Sequence, residues 1–301
     1  MPPTMLFCRD PLRPARVDAQ FATEAAVWRR IGGRVVLLDH DALAHGRATA
    51  AVTGLPEDIG PLWYRGWMIH SDQYRELDTV LRGHGARLIT TPDRYQRAHE
   101  LPGWYPMFAG LTAPSVWTQV AAGRPPSRDR LAVLATGLPP GPGMVKDYVK
   151  SRKHEPDAFG IRDLSDPDEV TSVVSRFVER QEDDLAGGIV LRSFVPLTGN
   201  ADPTNRGRPA ETRIWWVDGE PALCTPHPDT PHTRPMPDPA DLAAPVAALD
   251  CPFVTTDLAH DERTGDWLLI EVGDGQVSGL PADVDPGPLF RALFAERRDR
   301  R

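Results

Sequence analysis

Apolar positions in the first third of the chain alternate between short solid runs and helix-spaced stripes. Residues 4–7, 34–38, 62–64 and 87–89 are apolar stretches of strand length. Between them, Phe21, Ala25, Val27, Trp28 and Ile31 recur near helical spacing over 18–30, and Gly32-Gly33 stops the run. Tyr74, Leu77, Val80 and Leu81 form a second stripe over 72–82, ended by Gly83 and Gly85. Strand–helix alternation of this kind predicts an open, mostly parallel α/β unit.

From about residue 113 the pattern changes. Strands are predicted at 115–120, 144–149, 188–195, 211–217 and 220–224, and helices at 127–136, 166–182, 238–249 and 286–296. Residues 253–259 and 266–272 form a predicted hairpin. More strands with fewer helices predict α+β with antiparallel sheets. The expected organisation is therefore an α/β domain over 1–113 followed by an α+β domain over 114–301. The 32 prolines cluster at 139–142, 196–209 and 221–239, which predicts ordered but irregular loops. Residues 196–209 are longer than a typical connection, which reads as a binding lid or as disorder.

Composition narrows the function classes. The 301 residues are 41% hydrophobic and 25% charged, as in a soluble globular protein with a core of its own. Lys+Arg total 34 against 42 Asp+Glu, a net charge of −8, which argues against non-specific nucleic-acid binding. Three cysteines, Cys8, Cys224 and Cys251, have no C-x-x-C spacing, so a reducing compartment is expected. No apolar run is long enough to span a bilayer, and charge and proline come too early at the N-terminus for a signal peptide. The expectation is a cytoplasmic protein with no membrane and no nucleic-acid partner; the oligomeric state is not legible.

Four stretches carry candidate chemistry. In the last hairpin, a loop centred near Thr264 sets Asp257 opposite Glu271, with Glu271 on the face of Trp267 and Leu269. Facing carboxylates repel unless a cation lies between them, and Mg²⁺ takes hard oxygen ligands. The alternative is one carboxylate turned to solvent. In VKDYVKS (145–151), a continuous strand puts Lys146 and Lys150 on one side, about 13 Å apart, either to hold phosphate or as a solvated edge. In ETRIWW (211–216), Glu211 and Arg213 share a face, as a surface ion pair or as an arginine aimed at phosphate. The apolar strand 188–195 ends in a proline connector, as core or as the floor of an adenine pocket.

In this order, VKDYVKS, ETRIWW and WLLIEVGDGQVSGLP (267–281), with YRGWM (64–68) before them, resemble the ATP-grasp superfamily. Within it they resemble the clade characterised by an arginine and two lysines. The resemblance covers essentially the whole chain. It implies a pre-ATP-grasp domain up to about 113, then a small subdomain at about 114–190 and a large one at about 191–301. It assigns Lys146 to the nucleotide phosphates and Lys150 to phosphate or substrate. Arg192, Ser193, Phe194 and Val195 match the hinge that binds adenine through backbone groups. Arg213 matches the arginine near the γ-phosphate, and Asp257 and Glu271 match the Mg²⁺ carboxylates. Many ATP-grasp enzymes carry Glu-x-Asn here; this chain has Gly273 in the place of Asn, so either the next residue, Asp274, reaches the metal or a second Mg²⁺ is held differently.

The implied activity is ATP-dependent ligation of a carboxylate to an amine through an acyl phosphate, with ATP and Mg²⁺ as cofactors. The substrates would be a small metabolite or a peptide or protein terminus. A phosphotransferase and a non-catalytic nucleotide-binding protein are the rival classes. The glycine-rich stretch 273–279 leaves room for a substrate, with Gln276 as a candidate contact. Arg65, at the end of a strand in the first unit, is a candidate for a substrate carboxylate, or a surface arginine stacked on Trp67. His227 and His232 flank Asp229 with no obvious third metal ligand. Neither G-x-S-x-G nor a P-loop occurs.

Overall fold

The computed structural model describes residues 2–121, 123–198, 209–230 and 237–299. His232 and most of the proline-rich stretch 196–209 lie outside them. Among the described residues, no helix is long and apolar enough to cross a membrane.

The apolar run at the N-terminus becomes β1 (Thr4–Cys8), buried along its whole length. Such a strand must be covered on both edges and both faces. Its edges pair in parallel with β2 (Arg34–Leu38) and β3 (Gly60–Arg65), and β4 (Ala86–Leu88) follows, in the order β2-β1-β3-β4. The predicted stripes fold as α1 (Ala22–Arg30) and, after the short helices α2 (His40–Ala44) and α3 (Ala48–Ala51), as α4 (Ser71–Gly83). Two further helices, α5 (Pro92–His99) and α6 (Leu101–Phe108), have no clear apolar stripe in the sequence. In α6 both the early Pro102 and the internal Pro106 hide the helical signal.

The second sheet runs β5-β8-β6-β7, all antiparallel: β5 (Ser115–Gln119), β6 (Gly143–Asp147), β7 (Gly160–Ile161) and β8 (Gly188–Ser193). Helices α7 (Arg128–Ala135) and α8 (Pro167–Gln181) cover it; α8 starts at Pro167, with the Asp166 carboxylate accepting the N–H groups of Asp168 and Glu169. β6 stops earlier than its sequence predicts. The buried Asp147 carboxylate accepts the N–H groups of Val149 and Lys150 and a bond from Gln181, so the chain turns at 147–150. Lys150 is therefore not on the strand face of Lys146.

The third sheet runs β10-β9-β11-β12, from β9 (Thr212–Val217), β10 (Glu220–Pro226), β11 (Phe253–His260) and β12 (Trp267–Asp274). Trp215 and Phe253 on one face join the core of the first sheet, together with Leu289, Phe290 and Leu293 of α10 (Gly287–Asp299). Trp216, Val254 and Leu258 on the other face pack with α5, α6 and α9 (Ala240–Ala248). The third sheet is thus shared between two cores.

Arg65 fastens this junction. It is 1% exposed and binds Glu24 of α1 through two bonds of 2.6 and 2.9 Å. Its other end donates to the carbonyls of Gln276 and Ser278, beyond β12, at 2.9 and 2.8 Å. All its bonding directions point into protein, so the expected role as a substrate contact is replaced by a structural one. Arg65→Ala would leave Glu24 buried without its partner and is expected to lower stability by about 3–5 kcal/mol, read as a lower urea midpoint. An unchanged midpoint would contradict the structural role.

Candidate active site

Three charged residues line up across neighbouring strands. Arg213 on β9 pairs with Asp257 on β11, which pairs in turn with Glu271 on β12. Directly paired residues share a sheet face. Arg213 donates from Nε and Nη2 to the two Asp257 oxygens at 2.7 and 2.8 Å, and from Nη1 to the Gly279 carbonyl at 2.9 Å. Burial pushes the Asp257 carboxyl up, but the guanidinium beside it outweighs burial and holds it below the usual carboxylate value. The Arg213 guanidinium also lies 5.8 Å from the Trp215 ring centre.

The Asp257–Glu271 register rests on a bulge. Asp257 faces Glu271 but Leu258 faces Leu269, so Ile270 is the extra residue. The bulge moves Leu269 and Trp267 to the opposite face from Glu271, correcting the simple alternation. The Glu271 side chain keeps 39% of its exposure, and its Oε1 lies 3.2 Å from Nζ of the buried Lys146, which reaches it from β6. The Asp257 and Glu271 carboxylates supply hard oxygen donors side by side, a donor set that fits Mg²⁺.

Asp274 is not part of that set. It pairs with Val254, on the other face of the sheet, and is fully buried. Its Oδ1 accepts from the backbone and side-chain nitrogens of Gln276 at 2.9 and 3.0 Å, and the Cys251 thiol approaches Oδ2 at 3.8 Å. Burial pushes its carboxyl up to about 7. Gln276 is buried too: its Oε1 accepts the Tyr64 N–H at 3.1 Å and its Nε2 lies 3.0 Å from the Tyr74 hydroxyl. The expected metal contact of Asp274 and substrate contact of Gln276 are thus both replaced by internal bonds. At Gly273 a Cβ would lie 3.0 Å from Thr255 Oγ1 and 3.3 Å from Ser278 Oγ. These hydroxyls, bonded at 2.7 Å, fill the space an asparagine side chain would need.

The connector after β8 divides its roles. Arg192 shares the face of Met144 and Lys146, and its guanidinium donates to the Ile270 carbonyl at 2.9 Å and to Thr112 Oγ1, clamping the second sheet onto β12. The Ser193 and Phe194 N–H groups already bond the Pro114 and Pro142 carbonyls, each at 2.9 Å. Of the expected adenine hinge, Val195 keeps an N–H with no partner among the described residues.

Three side chains near Asp257 carried no decisive sequence signal. His227 Nε2 lies 3.7 Å from Asp257 Oδ2. Glu211 lies beside both, its carboxyl pushed up to about 7 by burial and by Asp257. Lys153 reaches Asp229 at 3.1 Å. Potential ligand atoms of Glu211, His227 and Asp257 lie within 4.8 Å of one another. However, His227 Nδ1 accepts the Asp229 N–H at 3.1 Å, so in the neutral ring Nε2 carries the hydrogen and faces Asp257 as a donor. Only folding of the long connections brings these residues to Arg213.

A family model for the ATP-grasp domain, family 3 of the clade of one arginine and two lysines, matches residues 135–293, more than half of the chain. The chain belongs to this ATP-grasp family. Among solved structures, D-cycloserine synthetase DcsG is similar at TM-score 0.63 and 17% identity, covering 98% of this chain and 99% of that one. The ATP-grasp ligase PsnB, solved with precursor peptide PsnA2 and AMPPNP, is similar at TM-score 0.54 and 13% identity, covering 97% and 96%. D-alanine–D-alanine ligase from Bacillus anthracis complexed with ATP is similar at TM-score 0.53 and 14% identity, covering 100% and 97%. At these identities the likeness is one of ATP-grasp fold. No curated protein sequence matches the chain.

In this ATP-grasp chain the position of Asp274 gives a pH signature. Its folded pKa lies above the unfolded value of about 3.9, so its contribution to stability is complete below about pH 4 and is lost as pH rises through 7. Asp274→Asn keeps the acceptor for Gln276 and removes the buried charge. The variant is expected to gain roughly 1–4 kcal/mol relative to the parent between pH 5 and pH 8, read by thermal melts across that range. A constant difference at all pH values would contradict a buried, proton-binding Asp274.

Proposed function

We propose that the protein is an ATP-dependent carboxylate–amine ligase acting through an acyl phosphate. The observation that carries this reading is the Lys146–Glu271 contact, which sets a cation of the second sheet against the carboxylate row of the third. ATP then occupies that gap, its phosphates against Lys146 and its adenine edge against the Val195 N–H. Asp257 and Glu271 are the residues that would hold Mg²⁺, which when bound neutralises charge on the β- and γ-phosphate oxygens.

Lys146 leaves Glu271 for a phosphate oxygen as the nucleotide enters, and so orients the γ-phosphate. Arg213, fixed by Asp257 and Gly279, adds a preorganised positive field that needs no rearrangement during transfer. A carboxylate oxygen of the substrate attacks the γ-phosphorus, the bond to the ADP oxygen breaks, and ADP departs. The amine then attacks the acyl carbon, losing a proton, and phosphate leaves as the amide forms. The array of buried, mutually held charges performs positioning and electrostatic work and supplies no covalent nucleophile, as these steps require. Relatives of the same fold named as ligases or synthetases support the reading: one is a D-alanine–D-alanine ligase, and another was solved with a precursor peptide.

Thermal shift with Mg²⁺-ATP tests it. Nucleotide at 100 times its Kd should add about 2.7 kcal/mol, a rise of several degrees. The rise should require Mg²⁺ and shrink in both Lys146→Ala and Glu271→Gln. Screening carboxylates with amines should then give ADP and free phosphate in equal amounts. No nucleotide shift in the parent protein would overturn the ATP site, and ADP formed with a phosphorylated product in place of free phosphate would overturn the ligase.

A further inference from the structure

A second cavity lies away from the Arg213–Asp257–Glu271 row. It is a cleft of about 750 Å³ between the first sheet's helices and the second sheet, within the size range of ligand sites. One wall is the start of α4 with the end of α5; the other is the 147–150 turn with residues 183–187. The two walls are joined at the back by the Leu101 N–H, which bonds the Tyr148 carbonyl at 2.8 Å.

The charges on these walls are sorted. Lys150, turned out of the strand by Asp147, lines the cleft, and it has no ion-pair partner among the described residues. Asp183 and Asp184 line it as well, and their carboxylates likewise have no partner among the described residues. The 3-10 turn that presents them is entered through Glu182 at a φ of 47°, a conformation rare for a side chain of this kind. Glu100, by contrast, is already engaged by Ser71 Oγ and by Gln96 Nε2 at 3.0 Å. His99 is buried at the cleft wall, and burial, followed by the charges of Lys150 and Lys146, pushes its ring down to about 3, so it is neutral. Because His99 feels both lysines, this part of the cleft adjoins the lysine assigned above to the phosphates.

We infer that this cleft seats a peptide or amino-acid substrate, its free carboxylate toward Lys150 and its ammonium toward Asp183 and Asp184. The sorted charges favour a zwitterion over the other classes. A nucleotide polyphosphate would meet two aspartates with a single lysine to offset them, and an apolar ligand would strip water from all three charges without replacing it. The volume leaves room for more than one residue. The inference rests on the ligase reading only in making the bound carboxylate the group to be phosphorylated; the binding itself needs no nucleotide.

Calorimetric titration without nucleotide tests it, using tri-alanine, N-acetyl-tri-alanine and tri-alanine amide as probes. The parent protein is expected to bind tri-alanine, and each blocked analogue about tenfold more weakly. Lys150→Ala should weaken tri-alanine by a similar factor while leaving the amide unchanged. Asp183→Asn with Asp184→Asn should weaken tri-alanine while leaving the N-acetyl form unchanged. All three residues are exposed, so the variants are expected to melt as the parent does. No binding of tri-alanine, or variants that weaken free and blocked peptides equally, would overturn the inference. Charge-dependent peptide binding in a protein that shows no nucleotide shift would support the cleft while contradicting the ligase reading.

Discussion

The buried Arg213–Asp257 pair is the constraint around which the candidate site is arranged. Taking two ions out of water costs several kcal/mol each, and the loss is offset only when geometry and remaining hydrogen bonds are good. Here both Asp257 oxygens are bonded and the third direction of the guanidinium ends on the Gly279 carbonyl. That arrangement fixes β9 against β11 and draws the segment after β12 back over the sheet. It also explains why Glu271 can face Asp257 on the adjacent strand. Two carboxylates side by side are unfavourable alone, but Arg213 flanks one and Lys146 the other.

The third sheet turns this local arrangement into a junction. One of its faces completes the core of the first sheet, and the other is packed by α5, α6 and α9. Arg192 then clamps the second sheet to β12 through the Ile270 carbonyl and Thr112. Charged groups from the second and third sheets meet across a gap, and the first sheet approaches the second across the cleft that holds Lys150. Movement of the second sheet would change both openings together, so nucleotide and substrate would report on one another through that sheet.

Much of the fold is legible in the sequence because the apolar periods are clean. The parallel first sheet, the antiparallel later sheets and the facing of Asp257 and Glu271 all follow from runs and spacings. The departures have identifiable physical causes. Strand alternation does not show a bulge, so it puts Leu269 and Trp267 on the wrong face. Nothing in the sequence marks Asp147 as a residue that caps its own strand end, and that cap moves Lys150 to another wall. Arg65, Asp274 and Gln276 look like ligand-binding residues in one dimension, yet each is saturated by internal bonds that folding completes. Lys153, Glu211 and His227 come together only when irregular connections fold, and no period encodes that.

The ATP phosphates are proposed to sit in the gap bridged by Lys146 and Glu271. The most direct measurement is a crystal structure with Mg²⁺ and a non-hydrolysable ATP analogue. Lys146 Nζ is expected on a phosphate oxygen, with Glu271 released from it and Arg213 still held by Asp257. A nucleotide bound elsewhere, with the Lys146–Glu271 contact intact, would contradict the proposal.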